Sequence, residues 1–85
     1  MARVVLPTHL RSYTRGASEV EVEAATLGEA LAAIEARHPG FRVRIIDEQD
    51  RIRRHIKCFV AGEQVMSLDA PLTGDVHITA ALSGG

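Results

Sequence analysis

The stretch GDVHITAALSGG, residues 74–85, decides the fold that we expect for this chain. After a turn at Gly74-Asp75, aliphatic residues alternate with His77 and Thr79 over residues 76–80. An alternation of period two is typical of a half-buried β-strand. The sequence therefore predicts a final strand that runs almost to the last residue and points the remaining residues outward.

The residues after this strand, Leu82-Ser83-Gly84-Gly85, form a predicted functional tail. Glycine has no Cβ, so a Gly-Gly end can enter a channel only as wide as the backbone. The tail ends in the carboxylate of Gly85, and such a group, with a pKa of roughly 3.5, is ionised at neutral pH and is a poor electrophile. A separate enzyme would have to activate it. The alternative is a frayed end, because small residues and motion concentrate at chain termini.

The composition is that of one ordinary globular domain. The chain has 85 residues, of which 46% are hydrophobic and 25% charged, and this argues against disorder. With a net charge of −1, the chain lacks the overall excess of basic residues that is typical of a nucleic-acid-binding protein. We find neither the apolar core of a signal peptide nor the roughly 18 apolar residues of a membrane span. With a single cysteine, no oxidising compartment is implied, so we expect a cytoplasmic protein without nucleic-acid or membrane partners.

The first half of the chain predicts two strands and a helix. Residues 2–6 are apolar and β-branched, residues 8–17 form a loop from which Leu10 returns to the core, and residues 19–24 alternate Glu with aliphatics as a second, hairpinned strand. Thr26 and Glu29 form a capping box that begins a helix. His38-Pro39-Gly40 ends it. Its predicted core stripe consists of Leu27, Ala30, Leu31 and Ile34.

The region after the helix is less regular. Residues 41–46 fit an irregular strand or a short helical turn, of which we favour the turn, and residues 47–50 are turn-like. Residues 51–60 predict a longer strand with one core face, formed by Ile52, Ile56, Cys58 and Val60. Its other face carries Phe59 beside the basic residues Arg51, Arg53, His55 and Lys57. Phe59 is therefore a candidate partner contact, and the alternative is a strand face that is covered by a loop or left in solvent.

No catalytic machinery is visible in the sequence. Cys58 lies between core positions and is predicted to be a buried structural thiol. The four histidines show no ligand spacing, so we predict no metal, and neither a phosphate-binding glycine loop nor a nucleophile elbow is present. We expect a protein that is acted upon by an enzyme.

A short edge strand at residues 64–66 completes the predicted order of strand, strand, helix, strand, short strand, strand. One helix crossing one sheet face predicts an α+β fold, with a mixed sheet whose first and last strands are parallel and central. This order, Pro7-Thr8 after the first strand, Gly74-Asp75 before the last and terminal Gly84-Gly85 resemble the ubiquitin-like β-grasp sulfur carriers of the ThiS/MoaD family. The cysteine-biosynthesis type is most similar. Two departures leave the subfamily open: Ala61-Gly62 stands where many members have Asn-Gly, and Ser83 where Ala is common.

The resemblance implies a sulfur-carrier cycle and its partners. A ubiquitin-activating-type enzyme would use ATP to adenylate Gly85, and a sulfur donor would convert the adenylate to a thiocarboxylate for a sulfur-accepting synthase. The carrier itself would bind no cofactor. Because ordering the tail costs entropy, a body surface should also dock, and our candidates are Phe59, His77, Thr79 and Leu82. The alternatives are a protein modifier joined through Gly85 to target lysines, a molybdopterin-synthase small subunit, and a plain interaction module.

Overall fold

A computed structural model describes residues 1–81, and in this part of the chain five strands form one sheet. The predicted tail, Leu82-Ser83-Gly84-Gly85, lies outside the described residues. In chain order the elements are β1 Ala2–Val5, a 3-10 helix Thr8–Thr14, β2 Glu19–Val22, α1 Leu27–Arg37, α2 Arg42–Ile45, β3 Ile56–Val60, β4 Glu63–Val65 and β5 Val76–Ala80.

The sheet is mixed, with the strand order β2-β1-β5-β3-β4. β1 and β5 are parallel neighbours in its middle, whereas the pairs β1–β2, β3–β5 and β3–β4 are antiparallel. The predicted α+β, β-grasp arrangement is therefore confirmed. The last strand lies at the centre of the sheet, with β1 on one side and β3 on the other.

The core lies between α1 and one face of the sheet. The stripe predicted for the helix, Leu27, Ala30, Leu31 and Ile34, is fully buried. The sheet buries every second residue against it, including Val4, Val22, Ile56, Cys58, Val76 and Ile78. Leu10, on the 3-10 helix, is buried as predicted. Among residues 1–81, no helix covers the opposite sheet face, where Lys57, His77 and Thr79 are exposed.

Both ends of α1 follow the sequence, with one difference. The Thr26 hydroxyl accepts a hydrogen bond from the Glu29 N–H at 3.2 Å, as predicted. The Glu29 carboxylate, however, accepts from the Ala25 N–H at 3.1 Å rather than from Thr26, since the chain enters the helix in an extended conformation and the carboxylate reaches one residue further back. At the other end Gly40 has φ +99°, a value that favours glycine, and reverses the chain.

A short helix, α2, confirms the turn that we favoured for residues 41–46. The Glu35 carboxylate stabilises the start of α2, because it accepts hydrogen bonds from the Gly40 N–H at 3.0 Å and the Arg42 N–H at 2.7 Å. These two backbone bonds hold the pKa of Glu35 below its ordinary value, Arg42 contributing more than Gly40.

The strand predicted over residues 51–60 is wrong in its first half. β3 begins only at Ile56. Ile52 instead forms an isolated bridge with Ile46, and the Arg53 N–H donates to the carbonyl of Ile45 at 2.9 Å. Two successive arginines, Arg53-Arg54, interrupt the alternation and lie in a turn that closes onto Ile56. The prediction that Ile56, Cys58 and Val60 face the core is confirmed.

The Gly74-Asp75 turn fits closely against the β3–β4 hairpin. The hairpin turns at Ala61 and Gly62, both with positive φ, +51° and +86°. The Ala61 N–H donates to the Asp75 carbonyl at 3.0 Å, and the Asp75 carboxylate accepts from the Arg3 N–H at 3.1 Å. A Cβ at Gly74 would lie 3.1 Å from the Ala61 Cβ, so glycine allows the two turns to approach. The two turns, together with the Asp75–Arg3 hydrogen bond, join β1, β3 and β5 at one end of the sheet.

Candidate functional site

The root of the predicted tail is held at the end of the central strand. Ala80, the last residue of β5, pairs with Ile56 in β3, and the Ala81 N–H donates to the His55 carbonyl at 2.9 Å. The chain is thus fixed to the sheet up to the residue before Leu82. The point at which the tail begins is therefore held by hydrogen bonds to the middle of the sheet and is not part of a loop.

The uncovered sheet face brings three of the predicted docking residues together. In the register of the ladder, Phe59 lies directly opposite His77, and Lys57 lies opposite Thr79. Side chains opposite each other on one face of an antiparallel pair have Cβ atoms about 4.5 to 5.5 Å apart. We define the docking face as Phe59, His77, Thr79 and their neighbour Lys57. Leu82, the remaining candidate, lies outside the residues that the structure describes.

Phe59 is half-buried, although simple alternation predicts exposure. It has cross-strand partners on both sides, His77 in β5 and Gln64 in β4, and such neighbours cover part of a large ring. His77 and Thr79 are exposed. Phe59 therefore presents an apolar surface framed by polar side chains.

Two neighbours of this face were missed from the sequence. Gln64 pairs with Phe59, and Val5 in β1 pairs with His77. The two-residue turn Ala61-Gly62 was a usable signal for Gln64, because it fixes the register of the hairpin by counting outward from the turn. No comparable local signal exists for Val5, since its pairing depends on a parallel contact between distant strands.

The basic residues that we expected beside Phe59 are not all there. Lys57 is on the face, but Arg51, Arg53 and His55 precede β3 and belong to the connection that leads into it. Arg53 turns back toward α2, where its Nε donates to the Val43 carbonyl at 2.7 Å. The docking face is consequently less basic than alternation from residue 51 had predicted.

Cys58 offers no nucleophile to this site. Its side chain is fully buried on the opposite side of the sheet, and burial raises the pKa of the thiol to about 11. The thiol is therefore protonated at neutral pH, and the prediction of a buried structural cysteine is confirmed.

Within residues 1–81, no cluster of three or more His, Cys, Asp or Glu side chains is placed to hold a metal ion. None of the helices in the same residues is long and apolar enough to cross a membrane.

Comparison with solved structures shows what the chain resembles. In the crystal structure of the Amycolatopsis orientalis BexX/CysO complex, one chain is 32% identical, with a TM-score of 0.91 and all of both chains covered. CysO from Mycobacterium tuberculosis is 28% identical, with a TM-score of 0.85 over 96% of this chain and 100% of that one. SAMP1 from Haloferax volcanii is 26% identical, with a TM-score of 0.79 over 99% of this chain and 98% of that one. No protein-family model and no curated protein sequence matches.

The chain belongs to the ThiS/MoaD family of ubiquitin-like sulfur carriers. The CysO chains resemble it in both sequence and fold over essentially their whole length. The similar proteins of this family are small carriers rather than enzymes. A small domain in which the residues before the tail are hydrogen-bonded to the sheet suits the role of a carrier.

Proposed function

We propose that this protein is a sulfur carrier whose Gly85 carboxylate is adenylated and then converted to a thiocarboxylate. The observation that carries the proposal is the likeness to CysO, at 32% identity over the full length of both chains. The position of the tail root at the end of the central strand supports it. The product we propose is cysteine or another sulfur-containing metabolite, made in the cytoplasm.

The chemistry follows from the reactivity of a carboxylate. A Gly85 oxygen attacks the α-phosphorus of ATP, pyrophosphate leaves, and the resulting acyl adenylate is a mixed anhydride with a good leaving group. Hydrosulfide from a sulfide donor then attacks the acyl carbon, AMP departs, and loss of the S–H proton leaves a thiocarboxylate. We assign these steps to a separate ubiquitin-activating-type enzyme that uses the ATP, because the similar proteins of this family are small carriers rather than enzymes.

We further propose that this activating enzyme, and later a sulfur-accepting synthase, bind the docking face. Ordering four tail residues costs about 1 to 2 kcal/mol of backbone entropy each, so binding by the tail alone would be weak. The half-buried Phe59 with exposed His77 and Thr79 gives a framed apolar contact on the uncovered sheet face. Such a contact can offset that cost.

Mass spectrometry of the intact protein tests the proposal. The carrier is incubated with its activating enzyme, ATP and a sulfide donor, and we expect the mass to change by the replacement of one oxygen with sulfur. Deletion of Gly85 should abolish adenylation without affecting folding, because the reactive carboxylate is then one residue short of the nucleotide. A truncated protein that still consumed ATP at the normal rate would contradict the assignment of Gly85.

A second candidate function is favoured by the likeness to SAMP1, at 26% identity, since related structures carry the name small archaeal modifier protein 1. As a modifier, the chain would be joined through Gly85 to lysines of other proteins. The two functions differ in their products. Higher-mass conjugates recovered from the native host would favour the modifier, and a thiocarboxylate without conjugates favours the carrier.

A further inference from the structure

A cationic groove lies at one edge of the sheet, beside the docking face, with which it shares Lys57. It has a volume of about 390 Å³ and runs between β4 and the connection that leads into β3. Its rim carries three cations, and its floor is aliphatic. The rim residues are Arg51, Arg54 and Lys57, and Ile52 and Val65 line the floor. Arg53 also borders the groove, but its guanidinium turns back toward α2.

Asp47 compensates part of the charge in this groove, because it pairs with Arg51 and interacts electrostatically with Arg53, whereas Arg54 and Lys57 have no close carboxylate among the described residues. Arg51 lies 3.5 Å from the Asp47 carboxylate, but no carboxylate in residues 1–81 lies within 4.0 Å of Arg53, Arg54 or Lys57. The chain as a whole has a net charge of −1, so this positive potential is local. A local concentration of cations attracts and orients a ligand of opposite charge.

Within residues 1–81, the groove also borders a sheet edge that no further strand covers. β4 is the last strand in the sheet order, and Met66, just beyond it, is 78% exposed. Val60 and Glu63 flank the two-residue turn and form the first pair of the ladder, so Gln64 occupies a position whose backbone N–H and C=O point away from β3. An extended peptide can pair with such an edge while its side chains enter the groove.

We propose that this groove binds an acidic, extended segment of a partner protein, with carboxylates on the cationic rim and aliphatic side chains against Ile52, Val65 and Met66. A protein segment fits better than a nucleic acid, because the floor is aliphatic and the edge offers backbone hydrogen bonds. The site goes beyond the proposed carrier chemistry, since it requires neither Gly85 nor ATP. It adjoins the tail root, because the groove residues Ile56 and Lys57 pair with Ala80 and Thr79.

Titration of the full chain by amide NMR tests this inference. The probe is a short synthetic peptide of alternating Glu and Val, capped at both ends, and the control peptide has Lys in place of Glu. We expect the acidic peptide to shift the amide signals of residues 51–57 and 64–66, with binding that weakens as salt is added. The Lys peptide should leave these signals unchanged.

Charge reversal gives the matched comparison. Arg54→Glu with Lys57→Glu should weaken peptide binding at least about tenfold, whereas Arg15→Glu with Arg37→Glu makes the same change in net charge away from the groove and should not. All four side chains are exposed, so both variants should fold. The proposal is overturned if the Lys peptide binds equally, if both variants lose affinity equally, or if the acidic peptide does not bind.

Other occupants would show themselves in the same experiment. Signals of residues 64–66 that shift with protein concentration alone would assign the groove to a second copy of this chain. Tighter binding of a short single-stranded oligonucleotide than of the acidic peptide would assign it to nucleic acid. Either result overturns the proposal, and neither bears on whether Gly85 forms a thiocarboxylate.

Discussion

Phe59 is the residue on which the proposed docking face depends most. It is a large apolar side chain, half-buried, in the middle of a face whose nearest cross-strand members are His77 and Gln64. Aromatic side chains of this kind bury much area at little entropic cost, and they dominate many interfaces. Its position could be predicted from alternation alone, but its degree of burial could not, because that depends on which strands pair beside β3.

Truncation of Phe59 should weaken binding of the activating enzyme. Aromatic anchors often cost at least about 2 kcal/mol when removed, so we expect Phe59→Ala to reduce affinity roughly thirtyfold or more. Calorimetric titration measures this, with circular dichroism as the folding control. Gln64→Ala, on the neighbouring strand, is the matched control and should change affinity much less. Unchanged affinity for Phe59→Ala would place the ring outside the interface, and lost folding would assign it to the core.

Among the elements, the β3–β4 hairpin and the Gly74-Asp75 turn constrain each other. Ala61 has φ +51°, a conformation that costs a residue with a Cβ roughly 1 kcal/mol. A Cβ at Gly74 would lie 3.1 Å from the Ala61 Cβ, which is tighter than an ordinary contact. Packing between two turns thus explains the Gly74-Asp75 motif. This packing could not be predicted from residues 74–85, because Ala61 lies in another part of the chain.

A double-mutant cycle tests this packing. We expect Gly74→Ala to destabilise the protein by about 1 kcal/mol in the wild-type background, because the new methyl group crowds Ala61. In the Ala61→Gly background the same substitution should be neutral or stabilising, since the close Cβ contact is gone, the next approach is 3.4 Å to the Cα of residue 61, and alanine restricts the unfolded chain. Urea unfolding of the four proteins gives the coupling energy. Additive effects would show that the two turns do not constrain each other.

The helix α1 shows how far sequence periodicity extends. Its apolar stripe, its cap at Thr26 and its end near His38 were all predicted, because each is set by residues within a few positions. The start of β3 was not. The successive arginines Arg53-Arg54 break the alternation of residues 51–60, and Ile52 bridges Ile46 instead, a competing contact that comes from another part of the chain.

Leu31 provides the test of that helix face. It is fully buried, so Leu31→Ala removes contacts on all sides and leaves a cavity. We expect a loss of about 2 to 5 kcal/mol in the free energy of unfolding, which is a large share for a small domain. Thermal and urea denaturation would measure it. Ala32→Ser, at the exposed neighbouring position, is the control and should change stability by less than about 1 kcal/mol.

In the molecule as a whole, one face of the sheet stabilises the fold and the other is the one that we propose for recognition. One face buries the core against α1, and the other face carries Phe59, His77 and Thr79 without a covering element among residues 1–81. The fold class and this division could be predicted from the alternation of the strands. The tail gave the first indication of function, yet its own placement lies outside the described residues, and its role rests on chemistry and on the likeness to CysO.

The fold should lose stability in acid, and two carboxylates give the reason. Backbone N–H groups of Arg42 and Gly40 lower the pKa of Glu35 from its ordinary 4.5, and those of Arg51 and Gln49 lower the pKa of Asp47 from 3.8. A lowered pKa in the folded state means that the unfolded chain binds protons first as the pH falls. The stabilisation from these groups is therefore complete above their ordinary pKa values and is lost as the pH falls through the lower values of the folded protein.

Urea unfolding between about pH 6 and pH 2 measures this dependence. We expect Glu35→Gln and Asp47→Asn to be less stable than wild type near pH 6, because an uncharged amide oxygen accepts the same backbone bonds less strongly than a carboxylate. Both variants should also lose less stability on acidification, so that their curves approach that of wild type at the lowest pH. A variant that kept the full wild-type slope would show that its carboxylate contributes nothing to acid sensitivity. The loss would then have to be assigned to other acids.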